Sequence, residues 1–176
     1  MHAAASHAHQ PLRLFIALWP GEALQDAIAS WQSSWTWPPH AALVQRERLH
    51  LTLHFLGNVA ADRLPDLARG LKVPFEPFSL ALGEAQVWSN GVAAVRPDHT
   101  PAALWQLHAD LGRAVAALDL PVEARPYRAH VTLARRARGA EPPPQGPALR
   151  WRIDTGYVLV RTLPGGAGYK VLERFN

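Results

Sequence analysis

Residues 50–57 read His50-Leu51-Thr52-Leu53-His54-Phe55-Leu56-Gly57, with polar and apolar side chains in alternation. A period of two marks a half-buried strand. Leu51, Leu53 and Phe55 are expected on one face, against a core, and His50, Thr52 and His54 on the other. An imidazole beside a hydroxyl is a poor choice for a face that need only be solvated. The pattern returns later in the chain. Arg128-Ala129-His130-Val131-Thr132-Leu133-Ala134-Arg135-Arg136 again reads His-apolar-Thr-apolar, at His130 and Thr132.

Working outward from these segments, 12–18 is an apolar run between Pro11 and Pro20 and reads as a buried strand. The first helix is expected over 21–35, with Leu24, Ala27, Ile28, Trp31 and Trp35 on its inner face and Pro38-Pro39 as its stop. A short strand over 41–45 precedes the His50 strand. A second helix over 61–71 turns Leu64, Leu67, Ala68 and Leu71 inward. A long strand over 78–88 leads to Asn90-Gly91, a hairpin turn because both residues tolerate positive φ, and 92–95 returns. The third helix opens at Thr100 with Pro101 in its first turn and presents Leu104, Leu107, Leu111, Val115 and Leu118. After the His130 strand, the Pro-rich 141–147 interrupts the chain. A long strand over 150–163, a turn at Pro164-Gly165-Gly166 and a strand over 169–175 close it as a hairpin.

The order strand, helix, His-x-Thr strand occurs twice, with nearly the same distance from Leu14 to His50 as from Val95 to His130. A duplicated unit would set the two motif strands as mates across a pseudo-twofold axis. The expected architecture is α+β: two lobes, two mainly antiparallel sheets, outer helices and a central cleft. Residues 11–176 form one such domain, and 1–10 are expected as a disordered tail.

Bulk properties narrow the function. The chain has 176 residues, enough for a substantial core. It has no cysteine, which excludes a disulfide scaffold, a thiol nucleophile and a cysteine zinc site. No apolar run is long enough to span a membrane, and no signal peptide is legible at the start, so a cytoplasmic protein is expected. The net charge of +4 permits a polyanionic partner without demanding one.

Two imidazoles facing each other across a cleft are the arrangement for paired general acid–base catalysis, because one can be charged while the other is neutral near pH 7. Each threonine hydroxyl lies one strand repeat from its histidine, about 6.5–7 Å. Together they offer a cradle for the oxygens of a phosphate, with Arg128, Arg135 and Arg136 beside the second motif. A single His-x-Thr in a strand is ordinarily only a strand; two copies in matching contexts carry the functional reading. His50 and His54 lie about 13 Å apart on a strand, too far to share one metal ion with bonds near 2 Å. His54 is expected as a lining residue or a satisfied polar residue. His40, His99 and His108 are expected at the surface or its boundary. Trp31, Trp35 and Trp105 read as core, and Trp88 and Tyr127 could stack a base.

With their flanks, the two segments resemble the 2H phosphoesterases, named for paired His-h-Thr-h motifs in which h is apolar. The closer resemblance is to the RNA 2′,3′-cyclic phosphodiesterase branch, also called 2′-5′ RNA ligases. It is carried by Leu12-Arg13-Leu14-Phe15-Ile16-Ala17-Leu18-Trp19-Pro20, by 49–57, by Arg125-Pro126-Tyr127-Arg128-Ala129-His130-Val131-Thr132-Leu133-Ala134-Arg135 and by the terminal hairpin. The resemblance implies that His50 is the proton donor and His130 the acceptor. It also implies that Thr52 and Thr132 hold phosphate oxygens, that Arg135 is the basic residue after the second motif, and that the product is a 2′-phosphomonoester. Tyr127 and Arg128 are further expected substrate contacts. His54 departs from the family pattern, where a small or apolar residue is common, as does Ala129, where proline is common. By strict alternation Arg135 points away from the His130 face and Arg128 and Arg136 toward it; only a bulge or the strand's end would bring Arg135 to the cleft. The expected partner is an RNA end bearing a 2′,3′-cyclic phosphate, with no metal, no cofactor, no membrane and a monomeric chain. A 2H enzyme for another cyclic nucleotide or a 2′-5′ oligonucleotide, and a non-catalytic RNA-binding protein, are the alternatives.

Overall fold

The computed structural model describes residues 10–176; the expected tail falls, but for Gln10, outside them. The chain runs β1 (Leu12–Leu18), α1 (Glu22–Ser33), β2 (Ala42–Leu43), β3 (Leu51–Val59), α2 (Leu64–Gly70), β4 (Phe78–Val87), β5 (Ala93–Pro97), α3 (Ala102–Ala117), β6 (Val131–Arg135), β7 (Leu149–Ile153), β8 (Tyr157–Thr162) and β9 (Tyr169–Phe175). Short 3₁₀ turns precede β3, α2 and β9.

All strand pairs are antiparallel, in the order β7-β4-β5-β6-β3-β1-β8-β9, with β2 on β6. The two expected sheets are therefore one, but the junction is slender. β3 and β6 meet in the single pair Leu51↔Val131. These are the residues that follow His50 and His130, so the pseudo-twofold axis passes between the two motifs. On the outer side Leu51 pairs with Leu18 and Val131 with Val95. The structure thus makes Leu18, rather than Leu14, the counterpart of Val95.

The helices cover one face. Ile28, Leu67, Leu71, Leu104, Leu107, Leu111 and Val115 pack with Leu51, Leu53, Val131 and Leu133 in the main core. Burial of each such side chain contributes about 1.5–3 kcal/mol. Each long helix also reaches into the opposite half. Gln32 of α1 donates from Nε2 to Leu133 O at 2.8 Å and to Val44 O at 3.0 Å, tying β6 to β2. From the other side, His54 of β3 bonds through Nε2 to His108 O of α3 at 2.8 Å. These crossed tethers hold the halves together where the backbone ladder supplies one pair.

Several expected details shift. The inner face of α1 is Gln25, Ile28 and Gln32, two of them polar, and Trp35 is buried beyond the helix end. Glutamine serves there because orphan strand carbonyls need donors. α3 takes Pro101, not Thr100, as its N-cap residue, and Trp105 is 47% exposed. The hairpin loop is 89–91, closed by Trp88 N to Val92 O at 2.8 Å, and Gly91 but not Asn90 has positive φ. The long strand expected over 150–163 is two strands. β7 pairs with β4 in one half and β8 with β1 and β9 in the other, so the chain crosses the molecule between them. Gly156 permits the crossing: its φ is +84°, and a Cβ there would sit 1.7 Å from Phe175 O.

Candidate active site

The bulges decide which side chains meet. In β3 the register passes from Ala17↔Thr52 to Ile16↔His54, leaving Leu53 as an extra residue. In β6 it passes from Ala94↔Thr132 to Ala93↔Ala134, leaving Leu133 extra. The bulges occupy equivalent positions, each one residue after the motif threonine. A bulge inverts the alternation that follows it. His54 and Ala134 therefore turn to the helix face and are buried, while Phe55 and Arg135 are exposed on the face of the motif histidines. The expectation that His54 shares the face of His50 is overturned, and the bulge supplies the condition under which Arg135 reaches the cleft.

His50 and His130 stand at the entrances of their strands, each half-buried and held in the same way. His50 Nδ1 lies 2.6 Å from Arg48 O, and His130 Nδ1 lies 2.7 Å from Arg128 O. A carbonyl only accepts, so both Nδ1 atoms carry the proton and both Nε2 atoms are left for chemistry. His50 Nε2 is 3.1 Å from Thr52 Oγ1. Leu51 and Val131 point into the core, so the flanking His50, Thr52, His130 and Thr132 share the other face. Antiparallel continuation of the Leu51↔Val131 register sets His50 level with Thr132 and Thr52 level with His130.

The surroundings of the two imidazoles differ. His50 lies parallel to Trp19 at 4.8 Å and near-parallel to Phe15 at 5.0 Å, with Tyr169 edge-on at 5.3 Å. His130 meets the edge of Trp88 at 4.6 Å, and the Arg128 guanidinium covers that indole at 4.1 Å. Burial is the main force pushing His50 down to about 4; the charges of His130 and Arg135 add to it, and the bond to Arg48 opposes it. His130 is also lowered, by burial first and then by Arg96, Arg128 and Arg135, against its bond to Arg128 O. Without an anion between them, both imidazoles are neutral at pH 7.

Thr52 and Thr132 are on the histidine face, and Arg135 lies close enough to depress both imidazoles. Tyr127, expected to stack a base, is used structurally instead. Its hydroxyl donates to Thr52 O at 3.0 Å, and its ring stacks on His108 at 3.8 Å. His108 in turn stacks on His54 at 4.1 Å, so that imidazole, imidazole and phenol fill the gap between β3 and α3. His54 is thus the satisfied polar residue of the two expected alternatives. Among the described residues no three His, Asp or Glu side chains gather as a metal would require. Sequence reading missed Trp19 and Arg96. Each directly follows the residue paired to Leu51 or Val131, and a duplication aligned on Leu18 and Val95 exposes both.

Residues 20–162 match the model of the 2′-5′ RNA ligase superfamily. The RNA 2′,3′-cyclic phosphodiesterase of Thermus thermophilus is 31% identical over 186 aligned residues, covering 94% of this chain and 90% of that protein. The Escherichia coli protein of the same name is 35% identical over 143 residues, 77% of this chain and 79% of that one. Among solved structures, E. coli LigT complexed with 3′-AMP superimposes with a TM-score of 0.84 at 29% identity, covering 94% of this chain and 97% of that one. LigT complexed with phosphate gives 0.78 at 28% identity, covering 94% and 96%.

Proposed function

The chain belongs to the 2′-5′ RNA ligase superfamily, and on that premise we propose that it is an RNA 2′,3′-cyclic phosphodiesterase working by two-histidine acid–base catalysis. The observation that carries this reading is the matched pair of imidazoles, each tied through Nδ1 to the carbonyl two residues earlier, on one face about a pseudo-twofold axis.

The phosphorus sits between the two Nε2 atoms. Thr52 and Thr132 donate to its non-bridging oxygens, and Arg135, with Arg128 behind Trp88, offsets the charge that grows on them in the transition state. Water enters on the side of His130, whose Nε2 takes its proton. The water oxygen bonds to phosphorus in line with the bond to the ribose 3′-oxygen, which breaks. His50, protonated at Nε2, donates to that oxygen. The product is a 2′-phosphomonoester with a free 3′-hydroxyl, and the histidines exchange protons with solvent before the next cycle. An imidazole lowered to about 4 in the free protein can serve as this acid because the substrate's phosphate brings a negative charge beside it. The stacked Trp19 face also favours an imidazolium, by about 0.5–1 kcal/mol. Neither step calls for a metal or cofactor. With a 5′-hydroxyl RNA end in place of the 3′-oxygen, the reverse path forms a 2′-5′ bond by microscopic reversibility.

A short RNA ending in a 2′,3′-cyclic phosphate tests the proposal. Hydrolysis to the 2′-phosphate is expected, unaffected by exhaustive EDTA treatment and identified against 2′- and 3′-phosphate standards by phosphorus NMR. A dominant 3′-phosphate would exchange the roles of the two histidines. Loss of activity on chelation, restored by zinc or manganese, would remove the metal-free mechanism. Binding of the RNA without turnover would return the chain to the non-catalytic alternative.

A further inference from the structure

A second concave feature lies beyond the histidine face, on the His50 side. It is a cavity of about 360 Å³ between the start of β1 and the β8–β9 turn, bounded by Gln10, Arg13, Arg161, Thr162 and the turn Pro164–Gly166. Its lining includes two guanidinium groups and, among the described residues, no carboxylate. Arg161 Nε is buried there without a hydrogen-bond partner among the described residues. Leaving such a donor unpaired is costly, more so for a charged group. The site is built for an acceptor that carries negative charge.

The cavity is linked to the catalytic face by short connections. Arg13, Phe15, Ala17 and Trp19 alternate onto one side of β1, and the rings of Phe15 and Trp19 stack on His50. Arg13 therefore stands one strand repeat, about 6.5–7 Å, beyond Phe15 on the same side. From the other direction, Arg48 Nη2 donates to Gly166 O of the cavity wall at 3.0 Å, and Arg48 O accepts from His50 Nδ1. Tyr169, which pairs with Thr162, sets its ring edge-on against His50.

Substrate chemistry supplies the direction. If the 3′-oxygen leaves toward His50, then C3′ of the terminal ribose is on that side, and C4′, C5′ and the next phosphodiester follow from it. The body of the RNA must then leave the cleft past His50, toward Tyr169 and the cavity. We propose that Arg13, Arg161 and the β8–β9 turn form a second phosphate site, which takes the phosphodiester immediately upstream of the cyclic end; this deepens the reading of the catalytic face given above and rests on it. It makes the substrate a polynucleotide end rather than a cyclic mononucleotide.

The experiment compares a 2′,3′-cyclic mononucleotide with a four-nucleotide RNA of the same terminal base and cyclic end, using the full chain. The wild type is expected to open both, with the lower KM on the oligonucleotide. Arg13→Ala and Arg161→Gln are each expected to raise the oligonucleotide KM about tenfold and to leave mononucleotide turnover unchanged, which also shows that they fold. The KM of the oligonucleotide should rise with salt, and each variant should reduce the logarithmic slope by about 0.7, the value for one phosphate contact on a single strand. Variants that treat both substrates as the wild type does would overturn the second site and leave the catalytic reading intact. Variants impaired equally on both substrates would also overturn it. A wild type that opens neither substrate would overturn both.

Discussion

The two halves share a backbone plan and differ in what stands around the histidine. Each motif begins with an imidazole tied to the carbonyl two residues back, and each carries a bulge one residue after its threonine. At equivalent positions the first half places Trp19 and Phe55, whereas the second places Arg96 and Arg135. Aromatic faces surround His50; positive charge surrounds His130. A symmetric pair of histidines could not distinguish attacking from leaving oxygen. The asymmetry is supplied by these neighbours, which gather the anion toward one half and give the imidazole of the other a flat, desolvated place.

The comparison can be broken most severely at the histidines. His50→Ala and His130→Ala should each lower turnover of a cyclic-ended RNA by about 10²–10⁴-fold while the fold persists by circular dichroism; one variant near wild-type rate would mean the pair does not act as a pair. Next come the residues the bulges deliver to the cleft. Arg135→Ala should cost about 100-fold in kcat/KM, in the range of a lost transition-state donor. Phe55→Ala, at the matching position, should cost less than about tenfold. Equal losses would erase the difference between the halves.

The pH profile sharpens the contrast further. Catalysis needs neutral His130 and protonated His50, and both pKa values are lowered in the free protein. The kcat/KM profile is therefore expected as a bell whose limbs both lie below the ordinary imidazole value of about 6.5. The kcat bell should lie higher, because bound phosphate favours both charged forms. Arg135→Ala, which removes a charge facing both rings, should move the free-enzyme limbs upward. A flat profile from pH 4 to 9, with chemistry limiting, would exclude imidazole acid–base catalysis.

The smallest effect belongs to the other histidine pair. Burial lowers His54, and lowers His108 to about 4, with the positive charge of His54 adding to the latter and Glu123 opposing both shifts. The unfolded chain then binds more protons than the folded one between pH 6.5 and 4. This contribution to stability is intact above 6.5 and is lost as pH falls toward 4. His108→Gln should cost about 1 kcal/mol at pH 7 through lost stacking and reduce the fall in urea midpoint between pH 7 and 5. Its kcat at pH 7 should stay near that of the wild type. A kcat loss like that of His50→Ala would show that the stack serves the reaction.

Much of this was legible in the chain by itself, for a local reason. Alternation of apolar residues sets strands, and the helical periods of 64–71 and 104–115 set helix faces, because these patterns depend on near neighbours. Two copies of His-x-Thr in matching contexts were enough to nominate His50, Thr52, His130 and Thr132 for one face. What local pattern cannot hold is the register between strands distant in sequence. The bulges at Leu53 and Leu133 arise only when β3 meets β1 and β6 meets β5, and they invert alternation for every residue beyond. That is why His54 turned from the cleft to the core and Arg135 from the core side to the cleft. For the same reason Tyr127 went to a carbonyl of β3 and Arg96 emerged beside His130. The crossing of the chain at Gly156 likewise depends on the approach of Phe175 O, which no window of sequence contains. Local chemistry named the histidines and threonines; long-range pairing decided which side chains stand with them.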